Sequence, residues 1–196
     1  PIIRNIQYVF SSNPPYIDVD NPVGTYRRTF TVPRNWQERE VFLHFGSISG
    51  YARIYVNGQQ VGMTKASKTP AEFNVTNYLK EGENLLAVQI YRWHDGSYME
   101  DQDFWRLTGI ERDVFLQAYP KLTIWDFFLK SSLDSTYKNG IFNATVDLRE
   151  FTGNNVKKGT LKLELLDKTG KIVLSQQKKF DIEDEFTQLA FSGVIK

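Results

Sequence analysis

Between Tyr51 and Val56 the chain changes character at every residue. Ala52, Ile54 and Val56 fall on one side, and Tyr51, Arg53 and Tyr55 on the other. A period of two belongs to an extended strand with one buried face, not to a helix. Asn57-Gly58 follows at once, the strongest hairpin-turn signal a sequence offers. The same alternation recurs at Val41, Leu43 and Phe45, and at Leu86, Val88 and Ile90 against Ala87, Gln89 and Tyr91. A second Asn-Gly, Asn139-Gly140, predicts another turn before Phe142, Ala144, Val146 and Leu148. Leu161, Leu163 and Leu165 then run into Asp167-Lys168-Thr169-Gly170, a four-residue turn. No segment carries a sustained helical stripe. The spacing predicts an all-β fold built from sandwiches.

One break in composition falls near Tyr119-Pro120. Before it, nine arginines stand against three lysines; after it, Arg149 is the only arginine among twelve basic residues. Three of the four tryptophans also precede it. A domain boundary is expected there, giving units of 1–118 and 119–196. The first suits a sandwich of eight or more strands. The second suits a small immunoglobulin-like sandwich, and its arrest at Phe191-Ser-Gly-Val-Ile-Lys196 without a closing turn reads as one that lacks its last strands.

The chain has 196 residues, 41% hydrophobic and 14% aromatic, enough to bury a core. Its net charge of +1 offers no electrostatic case for nucleic acid or for an anionic membrane surface. No apolar run is long enough to span a bilayer. The start, Pro-Ile-Ile-Arg-Asn, has neither a signal-peptide pattern nor a Met, as in a processed or excised piece of a larger protein. Cysteine is absent, which removes disulfides, thiolate metal sites and a Cys nucleophile, and leaves the compartment open. With only His44 and His94, and no ligand spacing around them, a transition-metal site is not expected.

The run from Arg92 to Val114 holds the chemistry. It places Glu100, Asp101 and Asp103 among Trp93, Tyr98, Phe104 and Trp105. Crowded acids repel and resist burial. Aromatic rings beside carboxylates suit a saccharide, whose C–H face stacks on rings while its hydroxyls meet polar tips. On an extended segment Asp101 and Asp103 share a face, and Glu100 and Gln102 take the other. The bland alternative is a solvated acidic loop balanced by Arg106 and Arg112. Glu100 with Asp103 is rejected as a glycosidase pair, because their spacing is local and nothing raises one acid's pKa selectively. Trp93 and Trp105 are read as core more readily than as a stacking platform. Arg106 is read as a brace for the acidic loop.

Four stretches together resemble one family. They are Asn21-Pro-Val-Gly-Thr-Tyr-Arg-Arg-Thr-Phe30, Val56-Asn-Gly-Gln-Gln-Val-Gly62, Tyr78-Leu-Lys-Glu-Gly-Glu-Asn-Leu-Leu-Ala-Val88 and the run 92–114. In order and spacing they look like the N-terminal sugar-binding domain of bacterial β-galactosidases of glycoside hydrolase family 2. The Asn-Pro-x-Gly-x-Tyr piece is shared with β-glucuronidases and β-mannosidases of that family; the Glu-Asp-Gln-Asp-Phe-Trp-Arg segment is more specific. The resemblance is strong to about residue 118 and looser through 119–196. It implies a jelly-roll β-sandwich followed by a smaller immunoglobulin-like β-sandwich, with the catalytic glutamates on a downstream (β/α)8 barrel that this chain does not contain. The chain alone is then expected to be inactive.

The resemblance also assigns residues. Asp103, the last acid of Glu-Asp-Gln-Asp, falls where the family binds galactose and a monovalent cation. Asn5, in Arg4-Asn5-Ile6-Gln7-Tyr8, falls on a second sugar contact, carried by fewer matching neighbours. Phe104 falls on a variable rim position. No cofactor is expected to be held firmly by this chain; sodium and magnesium are implied for the parent enzyme. The implied partners are a β-galactoside, the downstream barrel of the same polypeptide and further copies in a homo-oligomer, with no nucleic acid and no membrane. Bacterial cytoplasm and periplasm both fit. The sequons at Asn74-Val-Thr76 and Asn143-Ala-Thr145 are discounted in a bacterial-looking chain. Two other readings stay open: an autonomous carbohydrate-binding module, and a structural or assembly domain of another family 2 glycosidase.

Overall fold

A computed structural model describes residues 9–100, 105–151 and 158–196. The chain is all-β and divides into two compact units, Pro1–Ala118 and Tyr119–Lys196. Among the described residues the only helical pieces are short 3-10 turns.

The first unit runs β1 (Val23–Thr31), β2 (Glu40–Phe45), β3 (Ile48–Ser49), β4 (Tyr51–Val56), β5 (Gln59–Thr64), β6 (Ala71–Asn74), β7 (Glu83–Tyr91), β8 (Gly109–Ile110) and β9 (Val114–Tyr119). One sheet has the order β1-β7-β4-β5, a second has β6-β2-β9, and β3 pairs with β8. The alternation read from the sequence decides which face is covered. Ala52, Ile54 and Val56 of β4 and Val88 and Ile90 of β7 turn inward from the first sheet. Val41, Leu43 and Phe45 of β2 meet them from the second. All eight are at most 3% exposed, so each large side chain contributes about 1.5–3 kcal/mol of transfer free energy. Phe73 of β6 meets Phe45 edge to face at 6.2 Å.

Asn57-Gly58 makes the β4–β5 turn, with φ of 51° and 83°. Two successive positive φ values match the twist of a tight hairpin, which is why this dipeptide is favoured there. Its amide is fully used. Asn57 Nδ2 donates to Tyr78 O and to Asn84 Oδ1, both at 2.8 Å, and its Oδ1 accepts from Leu85 N at 3.0 Å. Asn84 has no exposed surface.

The second unit runs β10 (Leu122–Leu133), β11 (Gly140–Glu150), β12 (Lys158–Leu166), β13 (Ile172–Asp181) and β14 (Phe186–Ile195). Its sheets are β10-β11-β14 and β12-β13. Phe142, Ala144, Val146 and Leu148 of β11 form the core with Phe191 and Ile182. The β10–β11 register slips between Ile124 and Asp126, leaving Trp125 as the bulged residue. Arg149 lies over the rings of Trp125, Phe151 and Phe186, at 4.4, 4.4 and 4.9 Å, and its Nε donates to Glu185 at 2.6 Å. The unit's one arginine is thus held among aromatic rings, where a flat guanidinium fits and an ammonium does not.

The second Asn-Gly does not make a tight turn. Gly140 already belongs to β11, and the positive φ falls on Tyr137, at 58°. Asp134 organises the loop instead. Its Oδ1 accepts from Thr136 N at 3.0 Å, Thr136 Oγ1 at 2.8 Å and Lys138 N at 3.1 Å, and its Oδ2 accepts from Asn139 Nδ2 at 2.6 Å. A side chain that satisfies this many donors offers a longer loop an alternative to the two-residue turn.

Candidate functional site

The strand ends beside the acid-rich run enclose a cleft of about 530 Å³. It is lined by Ser49 at the end of β3 and by Gly50, which joins β3 to β4. Gly50 has φ of +103°, and a Cβ there would stand 2.6 Å from Tyr91 O, so no other residue lets β4 begin this close to the end of β7. Arg92 and Trp93, directly after β7, and Trp105 to Thr108, directly before β8, also line the cleft.

Asn21 fixes the start of the run. Its Nδ2 donates to Trp93 O and its Oδ1 accepts from Trp93 N, each at 2.9 Å. Arg92 N donates to Pro22 O at 3.1 Å. The Asn-Pro pair of the first motif is therefore a clamp on the run, 72 positions away. Sequence reasoning marked this pair only as part of a shared pattern. Its paired donor and acceptor on one side chain was the signal available.

His94 caps the short turn Asp95–Tyr98. Its Nδ1 accepts from Gly96 N at 3.2 Å, while its own N donates to Ser97 Oγ at 3.1 Å. A Cβ on Gly96 would lie 2.7 Å from His94 Cε1, so the cap needs glycine. Lys65 holds Asp95 at 2.8 and 3.0 Å; its hydrogen bond keeps that carboxyl below the usual range against the opposing effect of burial. Tyr98 stacks on Phe10 at 4.5 Å, Phe10 meets Trp93 edge to face at 5.4 Å, and the Tyr98 hydroxyl bonds the carbonyls of Ser12 and Tyr16. Residues 92–100 are thereby pinned along the 9–22 segment.

Just after β8, Glu111 is gripped by Lys68 of the cleft and by Ser47 Oγ at 3.1 Å. Burial works to raise its carboxyl, but the hydrogen bonds, led by that of Lys68, outweigh burial and hold it below the ordinary value. The cleft between these fixed walls presents Arg92, Arg106 and Glu100 beside two indoles. Arg92 lies over Trp93 at 4.8 Å.

Asp103, Phe104 and Asn5 lie outside the described residues, as do Asp101 and Gln102. Glu100 and Trp105 flank the stretch 101–104, and Val9 follows the stretch that holds Asn5; all three line the cleft. Trp105 corrects the expectation of a core residue: it is 63% exposed. It lies outside the strands, ahead of β8, and its exposed indole lines the cleft. Trp93 is half-buried, packed between Arg92 and Phe10. His44 pairs with Glu72 at 2.7 Å and stacks on Phe115 at 4.4 Å. Among the described residues no three His, Asp or Glu side chains could hold a metal ion.

Fold and cleft together define a β-sandwich module with a rigid, polar and aromatic recess beside an acid-rich segment. Residues 1–120 match the family model for the sugar binding domain of glycosyl hydrolases family 2, and the chain belongs to that family. It is 38% identical over 194 residues to a β-galactosidase of Priestia megaterium, covering 95% of this chain and 19% of the relative. It is 40% identical over 177 residues to a β-galactosidase of Vibrio cholerae, covering 90% of this chain and 17% of the relative. The chain thus spans less than a fifth of the length of these relatives. Among solved structures, a Bacteroides uniformis β-glucuronidase aligns with TM-score 0.73 and 23% identity, over 91% of this chain and 22% of that one, a likeness of fold.

Proposed function

We propose that this chain is the non-catalytic N-terminal portion of a β-galactosidase, an enzyme that hydrolyses terminal non-reducing β-D-galactose residues. It contributes a substrate-binding loop to the active site of a downstream (β/α)8 barrel. The observation that carries this reading is the identity of about two residues in five to proteins named β-galactosidase over nearly the whole chain. The clamped run 92–100 supports it, because a loop that reaches a neighbouring domain needs a fixed base. In this reading residues 1–118 are the sugar-binding jelly roll and 119–196 the immunoglobulin-like sandwich.

Asp103 is the principal sugar contact. A carboxylate accepts from two vicinal hydroxyls and is a hard oxygen ligand for a sodium ion. Asn5 supplies an amide that both donates and accepts, and Phe104 shapes the rim. Magnesium and homo-oligomer contacts belong to the parent enzyme. The test is kinetic. In the complete parent, Asp103→Ala lowers kcat/KM at least tenfold, about 1.4 kcal/mol of transition-state stabilisation. An unchanged value removes the assignment.

One feature favours a second reading, a carbohydrate-binding module that works without the barrel. The cleft is walled entirely by this unit and carries the exposed Trp105. Calorimetric titration of the 196-residue chain with galactose and lactose separates the two. Submillimolar binding supports the autonomous module; no binding supports a loop that completes a site only beside its barrel.

A further inference from the structure

The outer face of the β1-β7-β4-β5 sheet lies on the opposite side of these strands from the core. Register places Val23, Tyr91 and Tyr51 in one row across it, Thr25, Gln89, Arg53 and Met63 in the next, and Arg27, Ala87 and Tyr55 in a third. Tyr51 and Tyr91 stand 5.5 Å apart. The guanidinium of Arg53 lies over both, at 5.4 and 5.6 Å, and its Nε donates to the Tyr51 hydroxyl at 2.8 Å. These rings and Arg53 are half-buried, while Val23, Met63 and Arg27 are exposed.

The face is charged and unbalanced. Among the described residues no carboxylate reaches Arg53 or Arg27. The nearest acid in register is Glu83, at the far end of β7 opposite Thr31. An ordinary solvated sheet face intersperses both signs. This one instead joins tyrosine, arginine and methionine, the side chains enriched in the buried centres of protein interfaces.

Three occupants can be weighed. A second copy of the same face across a two-fold axis would bring two arginine-bearing, carboxylate-poor surfaces together, which like charge opposes. A neutral saccharide needs open ring faces to stack upon, and Arg53 already covers Tyr51 and Tyr91. A carboxylate-bearing protein segment meets both requirements. It supplies the missing anions, and a flat guanidinium held by tyrosines is preorganised for bidentate pairing. We infer that this sheet face is a docking surface for an acidic, extended protein segment, with Arg53 and Arg27 as its two anchoring cations. Their Cα atoms lie two strands and two residues apart, ~12 Å, close to the ~13 Å between positions i and i+4 of an extended chain.

The inference is independent of the galactosidase reading, and its test does not use sugar hydrolysis. The 196-residue chain, labelled with nitrogen-15, is titrated with an alternating (Glu-Ala)5 peptide, with its (Gln-Ala)5 counterpart and with lactose. The expected result is shift changes at Tyr51, Arg53, Tyr91 and Arg27 with the Glu peptide alone, weakening at least threefold when salt rises from about 0.05 to 0.3 M. Arg53→Gln and Arg27→Gln each weaken binding at least threefold, while Arg53→Lys weakens it less. Arg27 is exposed on an edge strand, so its variant tests the surface even if Arg53→Gln perturbs the fold. Equal shifts with the Gln peptide, no shifts at millimolar Glu peptide, or the same residues responding to lactose would each overturn the inference.

Discussion

Asn21 shows how much one side chain can settle. It makes two hydrogen bonds to a single backbone unit, that of Trp93, and so fixes where the acid-rich run leaves β7. Asn21→Ala is expected to destabilise the first unit by about 1–3 kcal/mol, read from urea unfolding. The loss should appear first as faster amide exchange in residues 92–100. An exchange pattern unchanged there would mean that other contacts position the run. This role was not legible in the sequence, because its partner lies 72 positions away and no periodicity links them. Trp105 is a similar case. A tryptophan in an all-β chain is expected inside, but this one follows a run of acids, lies outside the strands and is exposed. Arg149 was conspicuous only as a lone arginine; its three ring contacts come from β10, β14 and the end of β11.

At the level of elements, two turns share one chemistry. Asp134-Ser-Thr136-Tyr-Lys138 and Asp167-Lys-Thr169-Gly-Lys171 both let an aspartate accept from the Thr hydroxyl, the Thr N–H and the Lys N–H. The Thr136 bond holds Asp134 at about 2 against an ordinary 3.8; burial opposes it, and Asn139 and the backbone N–H groups add to the lowering. The folded carboxyl therefore takes up its proton at lower pH than the unfolded one. Its contribution is present in full above an ordinary carboxyl pKa and is lost as pH falls from about 4 through about 2. The stability gap between the parent chain and Asp134→Ala should shrink over that interval, measured by urea titration at each pH. A gap that stays constant would place the turn's strength elsewhere. The fourth position separates the two turns. Gly170 takes positive φ freely, whereas Tyr137 takes it against its Cβ. Tyr137→Gly is expected to add about 0.5–1 kcal/mol in the same assay, and a loss would show that the ring packs usefully. The alternating strands were legible because period two survives any tertiary context. Asn57-Gly58 was legible for the same local reason. The Asp134 turn was not, because its hydrogen bonds compete with the Asn139-Gly140 signal beside it and win.

Across the whole molecule each unit has its own core, and the two differ in how well they are covered. In the second, Ile124, Phe127 and Leu129 of the edge strand β10 stand opposite the buried Leu148, Val146 and Ala144 of β11, yet they are between 50% and 61% exposed. A core face is left open along a sheet edge, which invites pairing with another chain. The 196-residue protein is expected to bind a hydrophobic dye and to self-associate as its concentration rises. Phe127→Lys should reduce both, by sedimentation and by dye fluorescence; a monomer that binds no dye would mean the strand is covered by its own neighbours. The β10 alternation was visible in the sequence, but a buried face and an uncovered one are written in the same residues. The hairpin at Asn57-Gly58 has a different consequence. Asparagine before glycine ordinarily ages: the following nitrogen attacks the side-chain carbonyl and expels ammonia, and water then opens the succinimide to aspartate or isoaspartate. Here the departing amide nitrogen is tied to Tyr78 and to the sealed Asn84, and the carbonyl oxygen to Leu85. Aspartate at position 57 should therefore accumulate only as often as that corner springs open, which makes the slow chemical clock of the chain a gauge of its breathing.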